Sequence, residues 1–416
     1  MRRLNSFVNC GISISSAVVI AVAVCVFSGN ALADSSEKVL YSFRGGSDGT
    51  NPSTGLVTDS SGNLYGTTTD GGTGACTGGC GTVFELKAEA GGRWIERVIY
   101  NFQAGTDGAA PSASLIFDGA GNLYGTTISG GPSLDGTVFQ LTPTGGGGWS
   151  ESVLHSFTDD DGAYLVDRLI LDQSGNLYGT TVFGGRFHGG TAFQLSPPTP
   201  GGGWTLTTLH DFTGRADGID PEAGLISDVR GALYGTTIAG NIFKIVHQAQ
   251  WSLKVLYVFG GGSNSGQLSE GVLLFGDNGV LYGTQKFGGG TANAGAVYQL
   301  TPPAGGSGAW TETTIYRFTG GADGVYPLAG VIADGAGNLY GTTAGNGQSS
   351  LGTVYRLTPP TVPGGDWTET TLHTFAGGSD GSGPSAGLIF GRGGALYGAT
   401  AGGGAFGKGT VFKVVP

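Results

Sequence analysis

The chain has 416 residues, of which 85 are glycine and 16 are proline, and only 12% are charged. Its formal net charge of −11 argues against a nucleic-acid or anionic-membrane partner, because both need a basic surface. The glycines recur at fixed positions between apolar runs, so they indicate the turns of a folded all-β protein and not a low-complexity chain.

Residues 1–33 are predicted to be a signal peptide. Arg2 and Arg3 give a charged start, a mainly apolar stretch follows, and Ala31-Leu32-Ala33 places small residues where a signal peptidase cuts. An uncleaved membrane anchor is the alternative, but the apolar run is short for a membrane span. We therefore expect cleavage after Ala33 and no membrane contact afterwards. The mature protein would be periplasmic, at the cell surface or extracellular.

Two cysteines remain after cleavage, Cys76 and Cys80, in one glycine-rich loop. In an oxidising compartment a local disulfide is the default for such a pair. A metal site would need more ligands, and no histidine lies nearby in the sequence. We predict a Cys76–Cys80 disulfide that stabilises one loop.

A sevenfold repeat organises the rest of the chain, residues 34–416, which we predict to be a single domain. Copies of a Gly-Asn-Leu-Tyr-Gly-Thr-Thr motif occur 48 to 59 residues apart, with Leu-Tyr-Gly starting at Leu64, Leu123, Leu177, Leu233, Leu281, Leu339 and Leu396. Each repeat has four strand-length apolar runs without clean alternation, which is typical of sheets covered on both faces. The pattern predicts an all-β, seven-bladed β-propeller with four strands per blade. A β-solenoid is the alternative, but it would need atypical terminal repeats.

Aromatic residues hold a fixed position in the repeat. Six tryptophans are each followed eight residues later by a phenylalanine: Trp94 and Phe102, Trp149 and Phe157, Trp204 and Phe212, Trp251 and Phe259, Trp310 and Phe318, Trp367 and Phe375. An even spacing places both rings on one face of a strand. We interpret them as packing between blades, with ligand stacking as the alternative.

Six repeats also carry an Asp-Gly pair, at Asp48, Asp107, Asp161, Asp217, Asp323 and Asp380. Asp before Gly favours a turn, because the carboxylate accepts backbone N–H groups and glycine tolerates any φ. A ring of carboxylates that binds cations is the alternative interpretation.

Three motifs recur together, and they are most complete at residues 107–141 and 323–357. They are Asp-Gly-x-x-Pro, Gly-Asn-Leu-Tyr-Gly-Thr-Thr and Gly-Thr-Val-Phe-x-Leu. The set resembles the bacterial GloVer tandem repeat of "choice-of-anchor" exported proteins, over essentially all of residues 38–416. The resemblance implies an exported or surface protein without an assigned activity.

Motifs that suggest catalysis are weak. Residues 45–49 and 377–381 match Gly-x-Ser-x-Gly, but that elbow must join a strand to a helix, and no helix is predicted. The acidic run Asp159-Asp160-Asp161 is a weak candidate for Ca²⁺, since it lacks the spacing of an EF-hand. We predict no catalytic residue, no metal site and no cofactor, with Ca²⁺ at this loop as the alternative.

The candidate site consists of residues that break the repeat. Where other repeats have small residues before an inner strand, the third has Asp167 and Arg168, the fourth has Glu222 and the fifth has Glu270. The fifth also carries Lys286 after its Leu-Tyr-Gly strand. Drift on a solvated loop is the alternative. Since a symmetric scaffold can form one distinct pocket in this way, we predict ligand binding by these five residues.

Two classes of function stay open. We favour a monomeric binding or structural module that takes a small molecule, a glycan or a protein at one face of the propeller. The competing class is an enzyme, a lyase or lactone hydrolase with its site on repeats three to five, which rests on analogy of fold alone.

The two ends of the chain predict how the ring closes. The chain starts with a Tyr-Ser-Phe strand (residues 39–43) and ends with a Gly-Thr-Val-Phe strand (residues 409–414). If the Leu-Tyr-Gly strands are among the inner ones, the last repeat lacks an outer strand. Residues 38–43 would then supply it and leave no open blade. In the alternative, each blade begins at Tyr-Ser-Phe and needs no exchange between the ends.

Overall fold

The protein is a ring of seven four-stranded antiparallel sheets, which confirms the predicted seven-bladed propeller. The computed structural model describes residues 36–260, 271–345, 347, 350–362 and 364–416. The predicted signal peptide lies outside these residues. Besides strands, the described part contains four short 3-10 turns at Gly46–Asp48, Asp277–Gly279, Ala304–Gly306 and Arg392–Gly394. None of the helices in these ranges has the length and apolar character needed to cross a membrane.

The strands follow one another in chain order. The first, β1, is Ser36–Ser42. Blade 1 contains β2 (Val57–Thr58), β3 (Leu64–Thr68), β4 (Thr82–Ala88) and β5 (Trp94–Asn101). Blade 2 contains β6 (Ile116–Phe117), β7 (Leu123–Thr127), β8 (Thr137–Pro143) and β9 (Trp149–Ser156). Blade 3 contains β10 (Ile170–Leu171), β11 (Leu177–Thr181), β12 (Thr191–Ser196) and β13 (Thr205–Asp211).

The remaining blades repeat this plan. Blade 4 contains β14 (Ile226–Ser227), β15 (Leu233–Thr236), β16 (Asn241–His247) and β17 (Trp251–Val258). Blade 5 contains β18 (Leu274–Phe275), β19 (Leu281–Gln285), β20 (Ala296–Thr301) and β21 (Thr311–Arg317). Blade 6 contains β22 (Ile332–Ala333), β23 (Leu339–Thr343), β24 (Thr353–Thr358) and β25 (Thr368–Thr374). Blade 7 contains β26 (Ile389–Phe390), β27 (Leu396–Thr400) and β28 (Thr410–Val415).

The fourth strand of blade 7 is β1, from the other end of the chain. It pairs antiparallel with β28, from Ser36 opposite Val415 to Ser42 opposite Thr410. The sheet order is β1-β28-β27-β26, with the two-residue strand β26 at the centre of the ring. The predicted exchange between the chain ends is therefore confirmed. Hydrogen bonds join β1 to its blade, and the covalent chain leads from β1 to blade 1.

Steric fit explains why glycine follows Leu-Tyr in each repeat. A Cβ atom on Gly66 would lie 2.6 Å from Cζ of Phe84 in the next strand and 3.0 Å from Cδ2 of Leu56. Phe84 and Leu64 are fully buried or nearly so. Only glycine leaves room for the phenylalanine ring at this close approach of strands, so the motif encodes the packing inside each blade.

The recurring aromatic residues pack between neighbouring blades, as the sequence indicates. The ring of Phe43 at the end of β1 lies edge-on to Phe84 of blade 1, with centroids 5.1 Å apart. Trp94 of blade 1 contacts Tyr397 of blade 7, with centroids 6.2 Å apart. These edge-on contacts bury large apolar surfaces and recur around the ring.

The Asp-Gly pairs form turns at the ends of the outer strands. Asp107 accepts hydrogen bonds from the hydroxyl of Tyr100 (2.9 Å) and from the main-chain N–H of Gln103 (2.9 Å). The same aromatic-to-aspartate bond occurs in Tyr41–Asp48, His155–Asp161, His210–Asp217, Tyr316–Asp323 and His373–Asp380. These aspartates and three of the histidines therefore have structural partners.

Cys76 and Cys80 form a disulfide in the loop between β3 and β4, with Cα atoms 5.1 Å apart. The main-chain N–H of Cys76 also donates a hydrogen bond to Sγ of Cys80 (3.1 Å). The predicted pairing is confirmed. The disulfide closes a single loop and does not connect different blades.

Candidate binding site

The innermost strands and the loops leading into them surround a central cavity of about 830 Å³. This volume falls in the range of small-molecule sites, about 300–1,000 Å³. Much of the wall is apolar, with Val57, Ile116 and Ile332 as examples. The cavity is a consequence of the fold, because seven short strands meet around one axis.

The charged side chains of this wall come from one sector of the ring. Among the described lining residues, the charged ones are Asp167 and Arg168 of blade 3 and Glu222 of blade 4. Arg168 is exposed, whereas Asp167 and Glu222 are half-buried. The structure thus brings together three of the five residues that the sequence singled out. Whether they bind a ligand stays a prediction.

The loop leading into blade 3 differs from its equivalents. At four other blade interfaces, the first threonine after Leu-Tyr-Gly donates a hydrogen bond to an alanine carbonyl of the next blade: Thr67 to Ala113, Thr180 to Ala223, Thr284 to Ala329 and Thr342 to Ala386. Thr126 instead donates to the carbonyl of Leu165 at 3.4 Å. In the third repeat, Asp167 stands where four other repeats have this alanine. Thr126 bonds to Leu165, which lies two residues before Asp167.

Asp167 connects two blades. Its carboxylate accepts the main-chain N–H of Arg168 and, across the blade interface, the N–H of Gly224. A Cβ atom on Gly224 would lie 3.0 Å from Cγ of Asp167, so glycine permits this approach. Asp167 therefore positions the loops that carry Arg168 and Glu222. Sequence reasoning missed this role because the bond joins residues from different repeats.

The other two predicted residues are elsewhere. Lys286 is absent from the described wall of the cavity, and its Nζ lies 5.6 Å from the ring centroid of Phe287. Glu270 lies outside the described residues, next to Gly271, which lines the cavity. Lys286 directly follows the end of β19 (Leu281–Gln285).

Hydroxyl groups form a second sector of the wall, which the sequence analysis did not identify. Ser53, Ser112 and Ser385, of blades 1, 2 and 7, occupy the repeat position of Glu222. Oγ of Ser112 is buried without a hydrogen-bond partner. The signal was available, because aligned repeats place these serines in one column with the glutamate.

The candidate calcium loop shows protein partners for two of its carboxylates. A carboxylate oxygen of Asp159 lies 3.1 Å from Nδ1 of His188, and Asp161 accepts a hydrogen bond from Nε2 of His155 at 2.9 Å. Burial opposes the charged form of Asp161, but hydrogen bonds from His155 and Thr158 outweigh it and hold its pKa below the usual range. Within the described ranges, no group of three or more His, Cys, Asp or Glu residues is placed to hold a metal ion. Calcium binding stays an untested alternative.

The comparisons with known proteins assign the family. Three overlapping segments, residues 26–244, 151–332 and 238–416, match the Gloeobacter/Verrucomicrobia repeat family. The chain belongs to this family. The resemblance to the GloVer repeat is thereby confirmed over the whole propeller. Among curated proteins, no sequence matches the chain.

Solved structures share the propeller architecture at low identity. The chain is similar to the WD40 β-propeller domain of Doa1, with 11% identity, a TM-score of 0.53, and coverage of 90% of this chain and 96% of that one. It is also similar to a fungal alcohol oxidase of the AA5 family in complex with copper, with 14% identity, a TM-score of 0.56, and coverage of 92% and 76%. An ancestral GH74 enzyme matches with 11% identity, a TM-score of 0.53, and coverage of 88% and 51%. At these identities the likeness concerns the fold alone.

Proposed function

We propose that this Gloeobacter/Verrucomicrobia repeat protein is an exported binding module that holds a polar small molecule in its central cavity. The observation that carries the proposal is the grouping of Asp167, Arg168 and Glu222 on two adjacent blades of one wall. A cavity with one charged sector offers a ligand a single orientation, which a symmetric ring cannot do.

The chemistry of the wall defines the ligand. Arg168 offers several N–H donors in a planar group, and Glu222 offers acceptor oxygens. The serine hydroxyls on the other side of the cavity can donate or accept. A compact molecule with several hydroxyl, carboxylate or amine groups on a small carbon framework, such as a sugar or an amino acid, fits this combination.

Export is supported by the Cys76–Cys80 disulfide, because such bonds persist in oxidising compartments. Intact-mass analysis of the protein from the native envelope and medium tests it. We expect a mature chain that begins at residue 34 and has no alkylatable thiol before reduction. A chain that still begins at Met1 would contradict export by cleavage.

Thermal-shift measurements with a panel of monosaccharides, disaccharides, amino acids and dipeptides test the binding site. A ligand at a hundredfold excess over its Kd stabilises the folded state by about 2.7 kcal/mol. We expect at least one member of the panel to raise the Tm of the wild type. Arg168→Ala and Glu222→Gln should abolish that shift.

Arg230→Ala is the matched control, because Arg230 is exposed on blade 4 and absent from the described wall of the cavity. It should keep the full ligand-induced shift. Equal shifts in the wild type and in Arg168→Ala would refute the proposed site. The enzymatic alternative, a lyase or lactone hydrolase, uses the same residues, so loss of turnover in the same variants would test it.

A further inference from the structure

A glutamate on the outer strand of blade 1 faces the strand that closes the ring. Glu96 lies on β5, and Tyr41 lies on β1. The Tyr41 hydroxyl is 2.9 Å from Oδ2 of Asp48 and 3.5 Å from Oε2 of Glu96. Tyr41 thus lies between two carboxyl groups: that of Glu96 in blade 1, and that of Asp48 in the loop that follows β1.

The same arrangement recurs at neighbouring interfaces. Glu151 of blade 2 faces Asp107 of blade 1, and Glu369 of blade 6 faces Asp323 of blade 5. Each glutamate is two residues after a tryptophan in the repeat. On β1 the equivalent residue is Glu37, which faces Asp380 of blade 6. Facing carboxyl groups therefore occur at four consecutive interfaces, and β1 takes part in the two central ones.

Several of these oxygens are buried without a partner. Oε1 of Glu37, Glu96 and Glu151, and Oδ1 of Asp48, have no hydrogen-bond partner. An ionised carboxylate is costly in such surroundings, because it loses hydration and faces a second negative charge. Burial, and secondarily the facing aspartate, raise the pKa of each of these three glutamates to about 7.

The opposite side of the ring lacks this feature. At the same repeat position, blades 3 and 4 carry Leu206 and Leu253. The aspartates of the preceding blades, Asp161 and Asp217, are bonded to His155 and His210, just as Asp380, which faces Glu37, is bonded to His373. The difference between the two sides of the ring therefore lies in the leucines. In blade 5, Glu312 occupies this position, and the residue equivalent to the facing aspartate lies outside the described residues. The interfaces with Leu206 and Leu253 can therefore be compared, within the same molecule, with the interfaces that carry facing carboxyl groups.

We propose that β1 is a proton-controlled latch that closes the ring when Glu37 and Glu96 are protonated. Loss of these protons places like charges on both sides of β1, against blade 6 and against blade 1. β1 is an edge strand that pairs only with β28 in its sheet, so its release breaks a single strand pairing of blade 7. The latch would lie on the side of the ring that carries the chain ends, away from the charged sector of the central cavity.

Other charged groups around the latch oppose release only in part. Arg44 acts on Glu96 and favours its ionised form, as does the hydrogen bond from Tyr41. Arg93 is paired with Glu89 at 2.9 Å, and Lys38 donates to the carbonyl of Gly92 at 3.1 Å. A cavity of about 780 Å³ is lined by Tyr41, Asp48 and Glu96, and it gives water a route for proton exchange.

The direction of the pH effect follows from proton binding. In the released state the glutamates return to their ordinary pKa of 4.5, whereas in the closed state the pKa is about 7. Between these values the closed state binds more protons, so a rise in pH favours release. One pKa unit corresponds to a tenfold change in the opening equilibrium. Because solvent reaches part of both side chains, the effect is smaller than the full pKa difference would give. We expect a change of about tenfold between pH 5 and pH 8.

Hydrogen–deuterium exchange of the protein expressed from its full sequence tests the latch. Protection factors, corrected for the intrinsic pH dependence of exchange, report the opening equilibrium of each strand. The protection of β1 should fall about tenfold from pH 5 to pH 8. That of β13, the strand with Leu206, should stay constant over the same range.

Variants separate the latch from general unfolding. The double variant Glu37→Gln with Glu96→Gln should give β1 the same protection at both pH values. Each single variant should reduce the pH dependence of that protection without removing it. Glu89→Gln, an exposed glutamate of blade 1, should retain the wild-type pH dependence. The latch would be refuted by equal pH dependence of β1 and β13, or by pH dependence that survives both substitutions. If the double variant does not fold, carboxyl ¹³C titration of the wild type decides, since midpoints near 4.5 for Glu37 and Glu96 would refute the latch.

Discussion

Asp167 of blade 3 is hydrogen-bonded to the main-chain N–H of Gly224 in blade 4. Its carboxylate also accepts the N–H of Arg168, the next residue in the chain. A single acidic side chain thus holds the loops that bring the charged groups to the cavity. The loop of blade 3 also lacks the threonine-to-alanine contact that is found at four other blade interfaces.

Asp167→Ala should lower the free energy of unfolding by about 1–2 kcal/mol, because two N–H groups lose a charged acceptor at a partly exposed site. Chemical denaturation measures the loss. Asp160→Ala is the control, since Asp160 is exposed on the preceding loop and should change stability by less than about 0.5 kcal/mol. Equal losses in the two variants would mean that the bond across the blades contributes nothing.

Gly66→Ala should destabilise the propeller by about 1–3 kcal/mol, since the new methyl group would overlap Phe84. Thermal unfolding followed by circular dichroism gives the change. Gly119→Ala has open space around the added Cβ and should be nearly neutral. A neutral Gly66→Ala would show that steric fit does not explain the glycine of the repeated motif.

Deletion of residues 34–44 should remove most of the cooperative thermal transition. The deleted chain lacks β1, so β28 is left as an unpaired edge and Phe84 loses the ring of Phe43. Differential scanning calorimetry measures the transition, and a synthetic peptide of residues 34–44 should partly restore it. A deleted chain that melts like the complete one would contradict the role of β1 in closing the ring.

Replacement of Cys76 and Cys80 by serine should cost at most about 2 kcal/mol, because the loop that the disulfide closes is very short. Urea titration of the oxidised, reduced and substituted proteins measures this contribution. The central cavity should keep its ligand response in all three forms. A complete loss of folding on reduction would mean that the loop supports the whole ring.

Asp161→Asn should lower stability at pH 7 by about 1 kcal/mol, and this loss should shrink as the pH falls below 3.8. Hydrogen bonds from His155 and Thr158 depress the pKa of Asp161 against the effect of burial. A depressed pKa stabilises the fold above the unfolded value of 3.8, and the gain is lost as the pH falls through the folded pKa. Melting temperatures from pH 3 to pH 7 test this, with Asp160→Asn as the control.

The sequence predicted the fold well because steric constraints recur in every blade. Gly66 and its equivalents leave room for a buried aromatic ring, and the tryptophans and phenylalanines pack across interfaces, so the repeat itself carries the geometry. The position of β1 followed from counting strands. Both arguments need only local patterns and their periodicity.

The site was predicted less completely, for physical reasons. Alignment of the repeats shows which residues are unusual, and this identified Asp167, Arg168 and Glu222. It does not show where a side chain points once the chain leaves a strand, and Lys286 follows such a strand end. The bond from Asp167 to Gly224 and the unpartnered oxygens of the glutamates depend on contacts between blades, which no single repeat contains.

The exchange of β1 also fixes an order of assembly. The ribosome makes β1 first and β28 last, so blade 7 cannot form until synthesis of the chain is nearly complete. Until then the newly made β1 offers an unpaired edge to other nascent chains, a state prone to aggregation. The polar ends of β1 and the two charges at Glu37 and Lys38 reduce that hazard. Folding of this ring should therefore be slow, because its last step joins segments from opposite ends of the sequence.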